Sequence, residues 1–371
     1  MTIERIALLG TGLIGGSLGL AWQDRCPERT IIGLDDPEVL ERAEARGAID
    51  LKTADPASAV EDADLVVLAT PLAPLLRLME QIAPHLKSGA IVTDVASVQS
   101  PVLDQARDVL PDDVTFIGGH PMAGSEHQGI DHASKLLFEN AVYVLSPRTD
   151  ASADLSTDDF ANDHPEFIEL IEATGARPLL MAAQRHDQIA ARVSHLPQLL
   201  AIALVNTVAR DDDDAALTLA AGGFRDMTRI ASSPFEMWRD ILIGNYGAVL
   251  DALSAFTHAL QTTRNRLVEE DLDALSDLFE SAREARAEIP KDTKGFLHPL
   301  ADIFVEVEDQ PGVLHDLTSV LLDADLNIKD IELLKFREGT GGTFRLSFDD
   351  DSRAEAAVAA LSDADYRAYR L

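Results

Sequence analysis

A glycine-rich string near the start of the chain has the spacing of a phosphate-binding loop. GTGLIG (residues 10–15) directly follows the apolar run Arg5–Leu9 and leads into a helical pattern. In this spacing Gly10 permits a tight turn, Gly12 lets the backbone approach a pyrophosphate, and Gly15 allows close packing of helix on strand. The free N–H groups at a helix start favour an anionic ligand. The string therefore predicts a dinucleotide site.

The choice of dinucleotide depends on Asp35, which stands about twenty positions after Gly15 at the end of the second predicted strand. A carboxylate there accepts hydrogen bonds from the ribose 2′-hydroxyl and repels a 2′-phosphate, so NAD is favoured over NADP. The alternative is a glycine turn without ligand, with Asp35 as a turn residue. The predicted cofactor contacts are Gly10, Gly12, Leu13, Ile14, Gly15, Asp35 and Thr70.

A second segment, GGHPMAGSEH (residues 118–127), follows another predicted strand. Ligands of open α/β sheets bind beyond the carboxyl ends of the strands, so His120 is expected where cofactor and substrate meet. A histidine suits the removal of an alcohol proton, because its pKa lies near working pH. The alternative is a loop histidine that caps backbone groups. Ser97 follows an earlier predicted strand. We expect it either to cap a helix or to form a hydrogen bond with His120 or with the substrate.

No metal is predicted, although His120, Glu126, His127 and His132 must be weighed as ligands. These four share one loop and lack a helical i, i+4 histidine pair.

A third group of polar residues lies in helical sequence. His195 and Gln198 belong to SHLPQ (residues 194–198), where Pro197 is expected to break or kink a helix. GGFRDMTRI (residues 222–230) supplies Arg225, Asp226 and Arg229. Arginine binds carboxylates bidentately, as a dicarboxylic substrate requires. The alternatives are a structural His195 and a surface ion pair between Asp226 and Arg229.

The elements that position these residues alternate between strand and helix in the first half. Such βαβ order predicts a doubly wound parallel sheet. The predicted strands are Arg5–Leu9, Thr30–Leu34, Leu65–Ala69, Ala90–Asp94, Thr115–Gly118, Val142–Ser146 and Arg177–Met181, and the acidic insert Thr149–Asp163 is predicted to be a loop.

Helices alone follow, predicted at Gln188–Arg210, Met237–Thr263 and Glu269–Ala287. Such helices commonly bury their apolar faces against a second subunit. The tail from Leu300 is predicted to be a small α+β module. We therefore expect an α/β fold in three domains: 1–181 for the nucleotide, 182–290 as a helical domain with an apolar face for a second subunit, and 299–371 as the small α+β module.

The composition excludes some functions. The net charge of −33 argues against a nucleic-acid partner, because phosphate binding needs a basic face. Such a large negative net charge is typical of a solvated acidic surface in a salty cytoplasm. The alternative interpretation of this charge is a protein that mimics a polyanion or buffers metal ions. One cysteine, Cys26, excludes an intrachain disulfide. The apolar run Ile6–Trp22 carries five glycines and is shorter than a membrane span. We expect a cytoplasmic protein without membrane contact.

Taken together, these segments resemble the prephenate/arogenate dehydrogenase family. The resemblance covers nearly the whole chain: GTGLIGGSLGLA (10–21), TDVASVQ (93–99), GGHPMAGSE (118–126), SHLPQ (194–198) and GGFRDMTRIASSPFEMWRDI (222–241). It implies an N-terminal Rossmann domain, a helical domain that forms a homodimer, and NAD-dependent oxidative decarboxylation of prephenate in tyrosine biosynthesis. It also implies that His120 accepts the proton of the ring hydroxyl, supported by Ser97, and that Arg229 binds a substrate carboxylate. Glu126, His195, Gln198, Arg225 and Asp226 are then expected near the pocket.

The sequence departs from the family pattern in two places, Gln198 and Gln99. Some members have histidine where Gln198 stands, which leaves arogenate open as the substrate, and the usual lysine is replaced by Gln99. The tail around DQPGVL (residues 309–314) resembles an ACT module of order βαββαβ. That resemblance implies an amino-acid effector such as tyrosine at Asp309, Pro311, Gly312 and Leu314; a purely structural ACT module is the alternative.

Two other functions stay open at this point. One is another NAD-dependent hydroxyacid dehydrogenase of the β-hydroxyacid group, which uses a lysine on the first long helix, whereas 182–210 contains none. The other is a sensor of NAD and amino acids without enzymatic activity.

Overall fold

The computed structural model describes residues 2–124, 127–148, 157–210, 216, 218–288, 300–308, 310–337 and 341–370, with backbone alone for 157–159 and 335–337. The chain divides into two compact units, residues 1–277 and 278–371. The first two predicted domains pack within the first unit, apart from the last residues of the second one. The three-domain boundaries stay a prediction.

An eight-stranded sheet forms the centre of the first unit. Its strands are β1 (Arg5–Leu9), β2 (Thr30–Leu34), β3 (Leu51–Thr53), β4 (Leu65–Leu68), β5 (Ile91–Asp94), β6 (Thr115–Pro121), β7 (Val142–Pro147) and β8 (Arg177–Leu180). They lie in the order β3-β2-β1-β4-β5-β6-β7-β8. All neighbours are parallel except β6 and β7, which are antiparallel. The carboxyl ends of β1, β4, β5 and β6 therefore meet at one edge, where α/β sheets bind ligands.

Helices cover both faces of this sheet. They are α1 (Leu13–Arg25), α2 (Pro37–Ala45), α3 (Pro56–Val60), α4 (Leu72–Ile82), α5 (Ser100–Val109), α6 (Thr157–Asp163) and α7 (Pro165–Ala173). Side chains alternate between faces along β1, so Ile6 and Leu8 join one apolar core while Ala7 and Leu9 join the other. Burial on both faces explains why β1 and β4 are continuous apolar runs.

The structure corrects three expectations about this sheet. Strand β6 is longer than predicted and runs through His120 to Pro121, because residues 117–121 pair with β7. His120 therefore lies on a strand rather than in a loop after it. The acidic insert is not all loop, since Thr157–Asp163 is helical while 149–156 lie outside the described residues. The sheet is mixed rather than wholly parallel.

The helical part of the first unit begins with one long helical run. It consists of α8 (Ala183–Ala190), a π-helical turn at Ala191–His195 and α9 (Leu196–Val208). The predicted break at Pro197 takes the form of this π turn, after which Pro197 occupies the first turn of α9. By length and composition alone this run could cross a membrane.

Further helices are α10 (Gly222–Thr228), a 3₁₀ turn (Arg229–Ser232), α11 (Phe235–Gly244), α12 (Tyr246–Val268) and α13 (Leu272–Glu288). The predicted helix 237–263 is thus two helices, which meet at Asn245. Within the described residues, helices α8–α12 bury few apolar side chains, and several large ones are exposed: Phe235, Ile243, Leu250, Leu260 and Leu267. Such a surface is typical of an interface.

The second unit contains a four-stranded antiparallel sheet. Its elements are β9 (Ala301–Val307), α14 (Val313–Asp323), β10 (Asp330–Arg337), β11 (Gly341–Phe348), α15 (Asp351–Asp363) and β12 (Arg367–Tyr369), with strand order β10-β11-β9-β12. The βαββαβ order is as predicted. Gly312 caps the start of α14 with a φ of 91°, a left-handed conformation that favours glycine. The core includes Ile303, Val305 and Phe348.

Candidate active site

The glycine loop has the geometry that a pyrophosphate requires. Gly10 has a φ of 101° and its N–H donates to Leu34 O at 2.8 Å, which turns the chain sharply after β1. A Cβ on Gly15 would collide with the backbone oxygen of Gly10, so only glycine lets α1 start this close to the strand. A Cβ on Gly12 would meet nothing within 4 Å. The open backbone of Gly12 at the start of α1 thus fits a phosphate group.

Asp35 lies beside this loop at the end of β2. Its Oδ2 accepts hydrogen bonds from the Thr11 N–H at 2.6 Å and the Thr11 hydroxyl at 3.2 Å, and its Oδ1 accepts the Asp36 N–H at 2.8 Å. These bonds hold a half-buried carboxylate next to the loop. At the end of β4, the buried Thr70 hydroxyl has no hydrogen-bond partner among the described residues. The donor and acceptor set at this edge fits a dinucleotide.

His120 is held close to β5 by the two glycines before it. A Cβ on Gly119 would lie less than 3 Å from the backbone oxygen of Asp94. The buried Asp94 carboxylate accepts the Gly119 N–H at 3.2 Å and the Ala96 N–H at 2.8 Å, and Gln99 Nε2 donates to Gly119 O at 3.0 Å. Burial raises the pKa of Asp94 to about 7. Asp94 thereby connects the strand that carries His120 to the loop that carries Ser97.

A chain of hydrogen bonds leads from His120 into the helical part. His120 Nδ1 lies 2.8 Å from His186 Nε2, and His186 Nδ1 lies 2.9 Å from Asp187 Oδ1. Burial first, and then the neighbouring His186 and His195, lower the pKa of His120 to about 3, while Asp187 acts in the opposite direction. His120 is therefore a neutral imidazole at neutral pH, which is the form that accepts a proton.

Asp187 also joins the helical part to the Ser97 loop. Its Oδ1 accepts the Gln99 N–H at 2.8 Å and its Oδ2 accepts the Ser100 N–H at 2.8 Å, at the start of α5. These N–H groups and His186 hold the pKa of Asp187 below its usual value despite burial, which on its own raises it. Asp187 is a buried carboxylate that keeps its charge.

Asn245, at the junction of α11 and α12, completes this buried group. Its Nδ2 donates to Asp187 O at 2.7 Å and lies 3.3 Å from His195 Nδ1. Burial, with the neighbouring His186, lowers the pKa of His195 to about 4, with Asp187 opposing. The His195 ring packs edge-on against Trp238, with ring centroids 6.0 Å apart. His195, which sequence alone leaves open as a structural residue, thus belongs to the cluster around His120.

Gln198 and the arginine segment lie along a neighbouring face. Gln198 is buried, its Nε2 donates to Ile230 O at 3.1 Å, and its Oε1 has no partner among the described residues. Arg229 directly precedes Ile230 in the 3₁₀ turn after α10, and it is exposed. The ion pairs among the described residues do not join Asp226 to Arg229.

Other predicted residues are placed less tightly. Ser97 is half-buried in the loop between β5 and α5, while Nδ1 of His120 bonds His186 rather than Ser97. Arg225 and Asp226 are exposed on α10. Glu126 and Asp309 lie outside the described residues. His127 and His132 stack on each other, with ring centroids 4.7 Å apart, and the described residues contain no group that could hold a metal.

Sequence reasoning missed His186, Asp187, Asn245 and Asp94 as parts of this cluster. The one sequence signal was a His-Asp pair just upstream of SHLPQ, and nothing in its spacing shows that it meets His120.

One edge of the sheet carries a dinucleotide loop with an acidic ribose site and, beside it, a neutral histidine. A helical part adjoins this edge. These features are typical of nucleotide-dependent dehydrogenases that consist of a Rossmann part and a helical part. Comparison with known proteins makes the assignment narrower. Residues 18–158 match the nucleotide-binding domain of prephenate dehydrogenase, residues 182–281 match its dimerisation domain, and residues 301–365 match the ACT domain.

Individual relatives agree over most of the chain. Prephenate dehydrogenase of Bacillus subtilis is 36% identical over 369 residues, which cover 97% of each protein. Cyclohexadienyl dehydrogenase of Zymomonas mobilis is 34% identical over 79% of this chain and 98% of its own. The crystal structure of prephenate dehydrogenase from A. aeolicus, with hydroxyphenyl propionate and NAD+, superposes with a TM-score of 0.69 at 28% identity, over 78% of this chain and 99% of that one. This chain belongs to the prephenate dehydrogenase family.

Proposed function

We propose that this enzyme oxidises and decarboxylates prephenate to 4-hydroxyphenylpyruvate with NAD+, a step of tyrosine biosynthesis. The observation that carries the proposal is the neutral, strand-borne His120 at the sheet edge that also carries the glycine loop. Family membership supplies the substrate class. A sensor without activity would have no need for a base held in this way.

The dinucleotide site rests on the glycine loop and Asp35. Gly10, Gly12 and Gly15 shape the backbone, Leu13 and Ile14 begin the helix whose N–H groups face the phosphates, and Thr70 lies at the neighbouring strand end. Asp35 favours NAD+ because a carboxylate repels a 2′-phosphate. NAD+ bound at this loop would supply the hydride acceptor for C4 of the substrate ring.

His120 takes the proton of the ring hydroxyl as the carbonyl forms. Its Nδ1 is bonded to His186, so Nε2 is the nitrogen that receives this proton. Ser97, on the adjoining loop, hydrogen-bonds the same hydroxyl. Loss of the ring carboxylate as CO2 aromatises the ring, and this driving force belongs to the substrate.

Substrate carboxylates bind to the helical part. Arg229 offers a planar guanidinium for a bidentate contact, and Arg225 and Asp226 adjoin it on α10. We assign Gln198, His195 and Glu126 to the substrate-binding residues as well. Gln198 hydrogen-bonds substrate but carries no charge. Arogenate is therefore the alternative substrate, and cyclohexadienyl and arogenate dehydrogenases are among the similar proteins.

The assembly and its regulation are inferred from the other matches. The match to a dimerisation domain and the exposed apolar helix faces support a homodimer through α8–α13. The apolar run Ala183–Val208 belongs to that domain, which supports a cytoplasmic enzyme. The ACT match supports tyrosine as an effector near Asp309, Pro311, Gly312 and Leu314.

Absorbance of NADH tests the proposed activity. Prephenate and arogenate are each supplied with NAD+ and NADP+, and kcat/KM is compared across the four pairs. We expect the highest value for prephenate with NAD+. His120→Asn should lower kcat by ~10²–10⁴ while cofactor binding persists, the usual span for a lost general base. Activity of His120→Asn within a few-fold of wild type would show that His120 is structural.

A further inference from the structure

We propose that His186 and Asp187 are positioning residues that fix His120 as its Nδ1–H tautomer, so that Nε2 presents its lone pair to the substrate. The proposal rests on the function proposed above, in which His120 accepts the hydroxyl proton. Neither residue needs to touch substrate or cofactor for this role.

The direction of the hydrogen bonds follows from their far end. Asp187 accepts two backbone N–H groups, from Gln99 and Ser100, and it lies at the N-terminus of the ten-residue helix α5. Both contacts and the helix dipole favour the ionised carboxylate, which only accepts hydrogen bonds. His186 Nδ1, at 2.9 Å, must therefore donate to Asp187.

The remaining bond follows from the first. A neutral imidazole that donates through Nδ1 accepts through Nε2. His186 Nε2 then accepts from His120 Nδ1–H at 2.8 Å, and His120 keeps its lone pair on Nε2. A doubly protonated His186 would donate at both nitrogens, reverse this bond and leave a proton on His120 Nε2, which would abolish the base.

The arrangement also stabilises the product of proton transfer. When His120 receives the proton at Nε2 it becomes an imidazolium. Its Nδ1–H still donates to His186, which in turn donates to the Asp187 carboxylate. A half-buried cation without such an acceptor is costly, so the hydrogen bonds through His186 to Asp187 favour proton acceptance by His120. The titratable groups that face His120 are His186, His195 and Asp187, and Asp94 in turn faces Asp187.

Packing alone does not require imidazole at position 186. His186 is 3% exposed and lies on α8, sixty-six positions from His120 along the chain. An apolar side chain would fill the space, whereas it would leave the Nδ1–H of His120 and one lone pair of Asp187 without a partner. The proposed effect on the tautomer of His120 therefore explains why His186 and Asp187 are polar.

The first test is the ¹⁵N spectrum of the imidazole groups in the full-length enzyme, with the His120 signals assigned by their loss in His120→Asn. We expect the shift of a protonated nitrogen at Nδ1 and of an unprotonated nitrogen at Nε2. The opposite pattern in wild type would overturn the proposal without any further variant.

The second test compares His186→Leu, His186→Gln and the control Gln184→Leu, which changes an exposed residue of the same helix. With prephenate and NAD+, His186→Leu should lose about 10- to 100-fold in kcat with little change in either KM, less than His120→Asn loses. His186→Gln should recover most of the activity, because its amide oxygen can accept from His120 Nδ1–H. Its acid limb of kcat/KM should lie at lower pH than that of wild type, since the link to Asp187 is broken.

Two failures are distinguishable. If His120→Asn keeps full activity, the proposed function is wrong. If His120→Asn is inactive while His186→Leu matches Gln184→Leu in kcat and retains the Nδ1–H tautomer, only the role of His186 is wrong. If His186→Leu does not fold, the ¹⁵N spectrum of the wild type and the pH profile of His186→Gln test the proposal without it.

Discussion

A methyl group added at Gly119 tests whether the close approach of β6 to β5 places His120. In Gly119→Ala the new Cβ would lie less than 3 Å from the backbone oxygen of Asp94, 3.0 Å from Tyr143 Cε1 and 3.1 Å from Thr93 Oγ1. All three neighbours are buried, and the first is backbone, so no flexible side chain can move away. Strand β6 itself must shift.

The size of the effect follows from the contacts. Ordinary van der Waals separation is about 3.5–4.0 Å, so relief of the contact with the Asp94 oxygen needs a shift of about 1 Å or more in the residue before His120. The shift also stretches the bonds from the Gly119 N–H to Asp94 and from Gln99 to Gly119 O. Overpacking of this kind costs about 1–3 kcal/mol in the free energy of unfolding. A displacement near 1 Å at a catalytic group can cost ~10²-fold in rate.

Gly124→Ala is the matched control, because a Cβ there meets nothing within 4 Å and the position is exposed in the same segment. We expect Gly119→Ala to lower Tm by roughly 2–12 °C at about 2–4 °C per kcal/mol. Its kcat should fall ~10²-fold, whereas the KM for NAD+ should change little. Gly124→Ala should leave all three values near wild type. Equal kcat values in the two variants would refute the claim that the β5–β6 contact positions His120.

Three further outcomes are expected. Asp35→Ala should narrow the preference for NAD+ over NADP+ in kcat/KM, and a wild-type preference for NADP+ would contradict the assignment. Arg229→Ala should cost on the order of 2–4 kcal/mol in kcat/KM for prephenate, and Arg229→Lys should recover little, since the bidentate geometry is lost; full recovery by lysine would show that only charge matters. The pKa values of His120 and His195 are lowered in the folded protein to about 3 and about 4, so below about pH 6.5 each of them binds a proton when the protein unfolds. The pKa of Asp94 is raised to about 7, so Asp94 releases a proton when the protein unfolds. Unfolding therefore takes up about one net proton between about pH 4.5 and 6. In this range the free energy of unfolding measured with urea should fall by ~1.4 kcal/mol for each pH unit of acidification, and Asp94→Asn should make this dependence steeper.

Much of the fold could be predicted because its signals are local. The strands of the parallel sheet are short apolar runs, and the glycine loop has a fixed spacing that follows a strand. Strand β3 was missed because Leu51–Thr53 has three residues and an exposed pattern. The extension of β6 through Gly-Gly-His-Pro depends on pairing with β7, which overrides the weak strand propensity of those residues.

The cluster around His120 could not be predicted, because its contacts are long-range and the helix that carries half of them is irregular. At about 100° per residue, His186 and His195, nine positions apart, would lie on roughly opposite faces of a regular α-helix. The π turn at Ala191–His195 takes about one more residue per turn, which reduces that angle. Asn245 Nδ2 can then contact both Asp187 O and His195 Nδ1. Pro197, which has no N–H to donate, lies two positions after the last residue of the π turn. The irregularity that hides the site from a periodic pattern is thus the feature that brings its two histidines into one cluster.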